Sequence, residues 1–183
     1  MSIKVSIIIP CYNCDVVVKR AIDSVISQSY KNWELILVDN NSRDNTWNII
    51  KNYQDLYPDT ISIFKECSPG APSARNTGLK AAKGDWIIFL DSDDELLHGH
   101  LQNQVLFISH NDCDVVVNSF YRVISVKGIR LSFPKFPSND SWLGLINGYL
   151  GITSSNLFKK SCLLHAGGWS VDWTSSQEYE LMF

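Results

Sequence analysis

The residues best suited to do chemistry in this chain are Asp91, Asp93, Asp94 and Glu95, which follow directly on the apolar run Trp86-Ile87-Ile88-Phe89-Leu90. Like charges crowded at a strand's end repel unless a cation neutralises them, so packing alone gains nothing from the arrangement. An apolar run of this length, bounded by polar residues, reads as a strand buried on both faces of a sheet. The carboxyl edge of such a sheet is where open α/β folds bind ligands. The cluster therefore reads as a divalent-metal site that also holds a phosphate, and oxygen-only ligands favour Mg2+ or Mn2+ over zinc. A calcium loop is excluded, because counting from Asp91 puts Leu96 and Gln102 where Gly and a bidentate Glu are required. The plainer reading, that Asp93 and Asp94 cap the next helix, explains one acid but not the cluster.

Arg75 is the next candidate. It falls near the start of a helix, where the dipole disfavours a cation by a few tenths of a kcal/mol up to about 1, whereas Lys80 and Lys83 sit at the favourable end. An anion shared between Arg75 and the helix amides would reverse that preference; an arginine snorkelling to solvent is the alternative. Tyr12 could stack on a base and Asn40 could bond its edge, with a half-buried Tyr and a turn-forming Asn as the plain readings. Cys11-Tyr12-Asn13-Cys14 has no second pair and no positioned His, so small buried thiols are a better reading than a zinc or redox site. His98 and His100 read as two solvent-facing histidines rather than ligands. No dinucleotide fingerprint and no G-x-x-x-x-G-K is present, which argues against NAD enzymes and P-loop NTPases.

The elements that must position these residues alternate. Val5 to Ile9 and Trp33 to Val38 read as strands, and Ile61 to Lys65 and Trp86 to Leu90 as two more. Between them fall helices with Val18, Ile22, Val25 and Ile26 on one face, from Thr46 to Tyr57, and from the Pro69-Gly70-Ala71-Pro72 break to Ala82. Asp15 is expected to cap the first helix, and the Asp39 to Asp44 cluster to turn the chain into the second. This order implies a parallel, Rossmann-like sheet with helices on both faces. Beyond about Leu101 the pattern changes. A helix from Leu101 to Ser109 leads to a β-rich stretch, Val115 to Val123, then a hairpin turn at Gly128 and a strand from Ile129 to Phe133. A loop from Pro134 to Ser141, a strand from Thr153 to Phe158 and a short helix from Ser161 to Ala166 before Gly167-Gly168 complete the reading. Gln177 to Phe183 reads as the start of a helix, so the expectation is a chain truncated at its C-terminus.

A hydrophobic fraction of 45% with 19% charged residues is that of an ordinary soluble globular protein. The net charge of −3 and the lack of a Lys/Arg run argue against nucleic acid as a partner. No apolar run is long enough to span a bilayer or to serve as a signal peptide, so a cytoplasmic location is the default. Five cysteines at irregular spacing point to reduced thiols.

Together these residues resemble the family-2 glycosyltransferases, inverting enzymes of the GT-A fold that use nucleotide-diphospho-sugars. Val5 to Asn13 resembles the opening strand and base-binding segment, and Val38 to Thr46 the acidic turn after the second strand. Ala74-Arg75-Asn76-Thr77-Gly78 resembles the A-R-N-x-G helix, and Asp91-Ser92-Asp93-Asp94 the D-x-D motif. Ser155 to Lys160 followed by Gly167-Gly168-Trp169 is similar to the approach to the acceptor site.

The resemblance implies an α/β GT-A fold with a nucleotide-sugar-binding half at 1–100 and an acceptor-side half of the same domain at 101–183. It implies that Pro10, Tyr12, Asn13, Asp39 and Asn40 surround the base, that Arg75 reaches base or diphosphate, and that Asp91 holds ribose or sugar. Asp93 would bind the metal, Mg2+ or Mn2+, with Asp94 nearby. Gln177-Glu178-Tyr179-Glu180-Leu181 matches the family's E-D-Y-D-L-like segment and places Glu178 as the catalytic base. Three departures stand out: Asn40 replaces an acid, Gln177 replaces the first acid of the pair, and Glu178 is one methylene longer than the usual Asp. The implied activity is transfer from a nucleotide-diphospho-sugar, a UDP-sugar first, to a carbohydrate or lipid-linked acceptor hydroxyl in polysaccharide or glycoconjugate synthesis. A lipid-linked acceptor would bring the protein to the inner face of the membrane as a peripheral protein. The rival expectation is a nucleotide-sugar-binding module without turnover.

Overall fold

A computed structural model describes residues 2–126, 129–140, 143–144 and 150–172. Its main sheet has six strands in the order β3-β2-β1-β4-β8-β5. These are β1 (Val5–Cys11), β2 (Trp33–Asp39), β3 (Ile61–Lys65), β4 (Trp86–Phe89), β5 (Val115–Val116) and β8 (Leu157–Lys159). The first four run parallel, and β8 is antiparallel to both β4 and β5. Two strands contributed after residue 101 thus complete the sheet begun by the first hundred residues. The chain winds outward from β1 to β3, then returns to place β4 on the other side of β1. Strand order reverses at that point, which opens a crevice beyond the carboxyl ends of β1 and β4.

Both sheet faces are covered, which explains the unbroken apolar runs. Ile7, Ile9 and Ile88 point to a layer formed by α1 (Val18–Ile26), α2 (Thr46–Leu56) and α4 (His100–His110). Ile8, Ile87 and Phe89 point the opposite way, to α3 (Ala71–Ala81), α5 (Lys160–His165) and Trp169. Each of these fully buried side chains contributes about 1.5–3 kcal/mol by leaving water. Gly78 lets α3 approach β1 closely, since a Cβ there would collide with Ile8 Cγ2.

Four local expectations are corrected. Asp15 does not cap α1; its amide donates to Asp44 Oδ2 at 3.1 Å, and Asp44 Oδ1 instead accepts from Thr46 N at 3.0 Å to start α2. The stretch Val115 to Val123 is split into β5 and β6 (Phe120–Val126). The strand after the hairpin, β7 (Ile129–Lys135), runs on through Pro134, which an edge strand tolerates because no ladder hydrogen bond is demanded of its nitrogen. Thr153–Ser155 is a 3-10 turn rather than the start of a strand. The expected turn residue Gly128 lies outside the described residues.

Candidate active site

The carboxylate loop leaves β4 with Leu90 N donating to Ile8 O at 2.9 Å. It is held on three sides. Ser154 Oγ accepts from Asp91 N at 3.1 Å and donates to Asp94 Oδ2 at 2.6 Å. Ser24 Oγ accepts from Leu96 N at 3.0 Å, and the buried Gln28 carboxamide donates to Leu97 O and accepts from Leu101 N. Asp91 Oδ1 pairs with Arg75 at 2.7 Å. Burial raises the Asp94 carboxyl above its ordinary range; the Ser154 hydrogen bond opposes this, and the charges of Asp91 and Asp93 add to it. Asp93 remains exposed, and its carboxylate has no hydrogen-bond or ion-pair partner among the described residues.

Arg75 is 5% exposed, does not snorkel, and lines neither of the two cavities described below. The anion that stabilises it on the first turns of α3 is Asp91, and its guanidinium carbon lies 4.4 Å from the centroid of the Trp169 ring. Asn76 fastens the same segment by bonding both the carbonyl and the amide of Trp169, each at 2.8 Å. In the structure Arg75 is thus engaged by Asp91 and the Trp169 ring.

A cavity of about 750 Å³ occupies the crevice. Pro10 at the end of β1 and Tyr12 just beyond it line the cavity, with Asn41 and Arg43 from the turn after β2, Gly70 from the start of α3, and Asp91 and Asp93 from the loop after β4. Tyr12 is 60% exposed, so its ring is open to stacking. Asn40 also lines the wall, but its amide is fully engaged: it donates to Glu66 O and Ser68 O at 2.9 and 2.7 Å and accepts from Gly70 N at 2.7 Å. That bonding presents Gly70, whose φ of 111° suits glycine, to the cavity. Asn13 does not line the cavity; in the left-handed region at φ 46°, it accepts from Arg43 N at 2.8 Å and ties the first two loops together. Asp39 is buried, with Oδ1 lacking a hydrogen-bond partner. Cys11 and Cys14 are buried thiols in hydrogen-bond contact. Their mutual bond pushes Cys11 up and, with other donors, brings Cys14 down to about 7 against the opposing effect of burial.

A second cavity, of about 640 Å³, adjoins the first at Asp93. Arg20, Asp94, His100, Tyr121, Arg130 and Ser154 are among its walls. His100 is half-buried rather than solvent-facing, and burial pulls its pKa down to about 4, so it is neutral at pH 7. Sequence reasoning missed Arg43, Gln28 and Ser154. Arg43 had a local signal, as the cation in the turn after β2, whereas Ser154 and Gln28 act across 60 or more residues and left none.

The donor set suits a hard cation. Among the described residues no three His, Cys, Asp or Glu side chains converge as a closed metal site. An ion at Asp93 would complete its shell with substrate oxygens, as Mg2+ does when it bridges one or two carboxylates to phosphates. Glu178 lies outside the described residues.

Comparison with known proteins agrees with this geometry. The family model described as Glycosyl transferase family 2 matches residues 6–155. A relative from Escherichia coli, UDP-Glc:alpha-D-GlcNAc-diphosphoundecaprenol beta-1,3-glucosyltransferase WfaP, is 40% identical over 92% of this chain and 80% of its own. An uncharacterized glycosyltransferase from Haemophilus influenzae is 35% identical over 79% of this chain, which spans only 57% of that protein. Among solved structures, S. aureus TarS 1-349 in complex with UDP-GlcNAc superposes with a TM-score of 0.75 at 21% identity, covering 98% of this chain and 52% of that one. Mannosyltransferase PcManGT from Pyrobaculum calidifontis, in complex with GDP-Man and Mn2+, gives 0.74 at 20% identity over 98% of this chain and 51% of that one. The chain thus covers about half of these solved chains, and it belongs to glycosyl transferase family 2, with the GT-A fold.

Proposed function

We propose that this chain binds a UDP-sugar in the crevice beyond β1 and β4 and transfers its sugar, with inversion, to an acceptor hydroxyl presented from the second cavity. The observation that carries the reading is the unpartnered Asp93 carboxylate at the junction of the two cavities. Residues 1–100 then form the donor half and 101–183 the acceptor half. Tyr12 stacks on the base, and the orphaned Asp39 oxygen suits a base N–H. Arg43 offers positive charge to the donor. Asp91, oriented by Arg75, accepts hydroxyl hydrogens of ribose or sugar. Asp93, with Asp94 beside it, would hold Mg2+ or Mn2+, which when bound supplies positive charge for the departing diphosphate. The acceptor oxygen attacks the anomeric carbon as the bond to the diphosphate breaks, and Glu178 takes the acceptor proton. The relative's diphosphoundecaprenol-linked acceptor supports a lipid-linked sugar as acceptor and a place in surface polysaccharide assembly.

Calorimetry with UDP and Mn2+, paired with a UDP-sugar transfer assay, tests this. Asp93→Ala is expected to remove the metal dependence of UDP affinity together with turnover. Glu178→Gln is expected to keep UDP affinity and lower turnover about 10²–10⁴-fold. UDP affinity indifferent to both metal and Asp93→Ala would overturn the proposal, and metal-dependent affinity with no wild-type turnover would favour a binding module.

A further inference from the structure

The ribbon β6–β7 is a separate two-stranded sheet, not joined to the main one. Its register places Tyr121, Val123 and Arg130 on one face, and these residues line the second cavity, joined at the ribbon's first residue by Phe120 from the other face. The opposite face carries Arg122 opposite Phe133, Ile124 opposite Leu131, and Lys135 opposite Phe120. On that outer face Ile124, Leu131 and Phe133 are 41, 45 and 46% exposed, and Phe136 just beyond is 71% exposed. A two-stranded ribbon apolar on both faces is marginal in water unless something covers it.

Charge indicates what covers it. From Val115 to Asn139 the sequence contains Arg122, Lys127, Arg130 and Lys135 and no Asp or Glu, within a chain of net charge −3. Among the described residues Arg122, Arg130 and Lys135 make no ion pair. The cores of protein interfaces are depleted in lysine. Apolar side chains bordered by lysine and arginine that can snorkel to phosphates instead match the headgroup region of an anionic bilayer. No helix of the described residues is long and apolar enough to cross a membrane.

We propose that the outer face of the β6–β7 ribbon, Arg122, Ile124, Leu131, Phe133 and Lys135, docks on an anionic lipid bilayer, while its inner face walls the acceptor cavity. The proposal rests on the glycosyltransferase reading only for its purpose, delivery of a lipid-linked acceptor from the bilayer to Asp93. One ribbon then serves both surfaces.

The test is co-sedimentation of the whole protein with phosphatidylcholine vesicles containing or lacking 30% phosphatidylglycerol, with calorimetric UDP binding measured separately. Wild type is expected to bind the anionic vesicles and to release them in high salt. Ile124→Asp with Phe133→Asp should lower that binding at least tenfold, and Arg122→Glu or Lys135→Glu about fivefold for each charge removed. UDP affinity should be unchanged in all of them, because none of the four substituted residues lines either cavity. No binding of wild type, or equal binding by the Asp variant, overturns the proposal. So does hydrogen exchange showing the ribbon already protected without vesicles, which would mean that another part of the chain or a second copy covers it. Because UDP binding is read independently, loss of vesicle binding leaves the catalytic proposal standing, and loss of UDP binding leaves this one standing.

Discussion

The loops at the carboxyl edge of the sheet and the β6–β7 ribbon both reach the surface, yet they are held in opposite ways. Around the first cavity, polar side chains bond groups far away in sequence: Asn40 holds three backbone groups of the next loop, Asn13 bonds the Arg43 amide, and Ser154 braces the Asp91 amide and the Asp94 carboxylate. Along the ribbon the two strands bond each other, and the side chains lie open. The proposed diphosphate site would require such pre-organised groups, whereas the proposed lipid-facing surface would need only area and charge.

That contrast is broken most severely at Arg75. Replacing it with Ala leaves Asp91 beside Asp93 and Asp94 without a counter-ion and removes the stacking on Trp169. The loss in urea unfolding should be about 3 kcal/mol, toward the lower end for a buried pair because the Asp91 side chain is 37% exposed. Lysine should rescue little, since its ammonium cannot lie flat on the Trp169 ring while reaching Asp91 as the guanidinium does.

His100 tests the rigid side by pH. Its folded pKa of about 4 lies below its ordinary value of 6.5, so below pH 6.5 the unfolded chain takes up a proton that the folded chain refuses. Its contribution is present above 6.5 and is lost progressively as pH falls toward 4. Between pH 7 and pH 5 the wild type should lose about 2 kcal/mol more than His100→Gln, measured by unfolding at each pH.

The ribbon should respond least. Ile124→Ser and Phe133→Ser, at exposed positions, should shift unfolding free energy by no more than about 0.5 kcal/mol in the absence of lipid. A larger loss would show that the outer face is packed in the folded protein and would erase the contrast.

Much of the donor half was legible from local pattern. Buried strands announce themselves as apolar runs, and the acidic cluster after β4 stands out by charge; in the structure Pro10, Tyr12, Asp91 and Asp93 line one cavity. Residue type alone did not show how others are held. Asn40, Asn13 and Arg75 are polar groups of the kind that bind ligands, and Asn40 does reach the wall, but each is engaged by partners between 16 and 30 positions away. Asp15 failed as a cap for the same reason.

The order of strands and helices along the chain, the two-faced burial of the sheet and the acidic character of the loop after β4 were written in the sequence, because they depend on periodicity and on charges a few residues apart. Which polar side chains stay free for a ligand was decided only by the tertiary structure, because a hydrogen bond to a distant loop consumes a donor or acceptor without leaving any local trace.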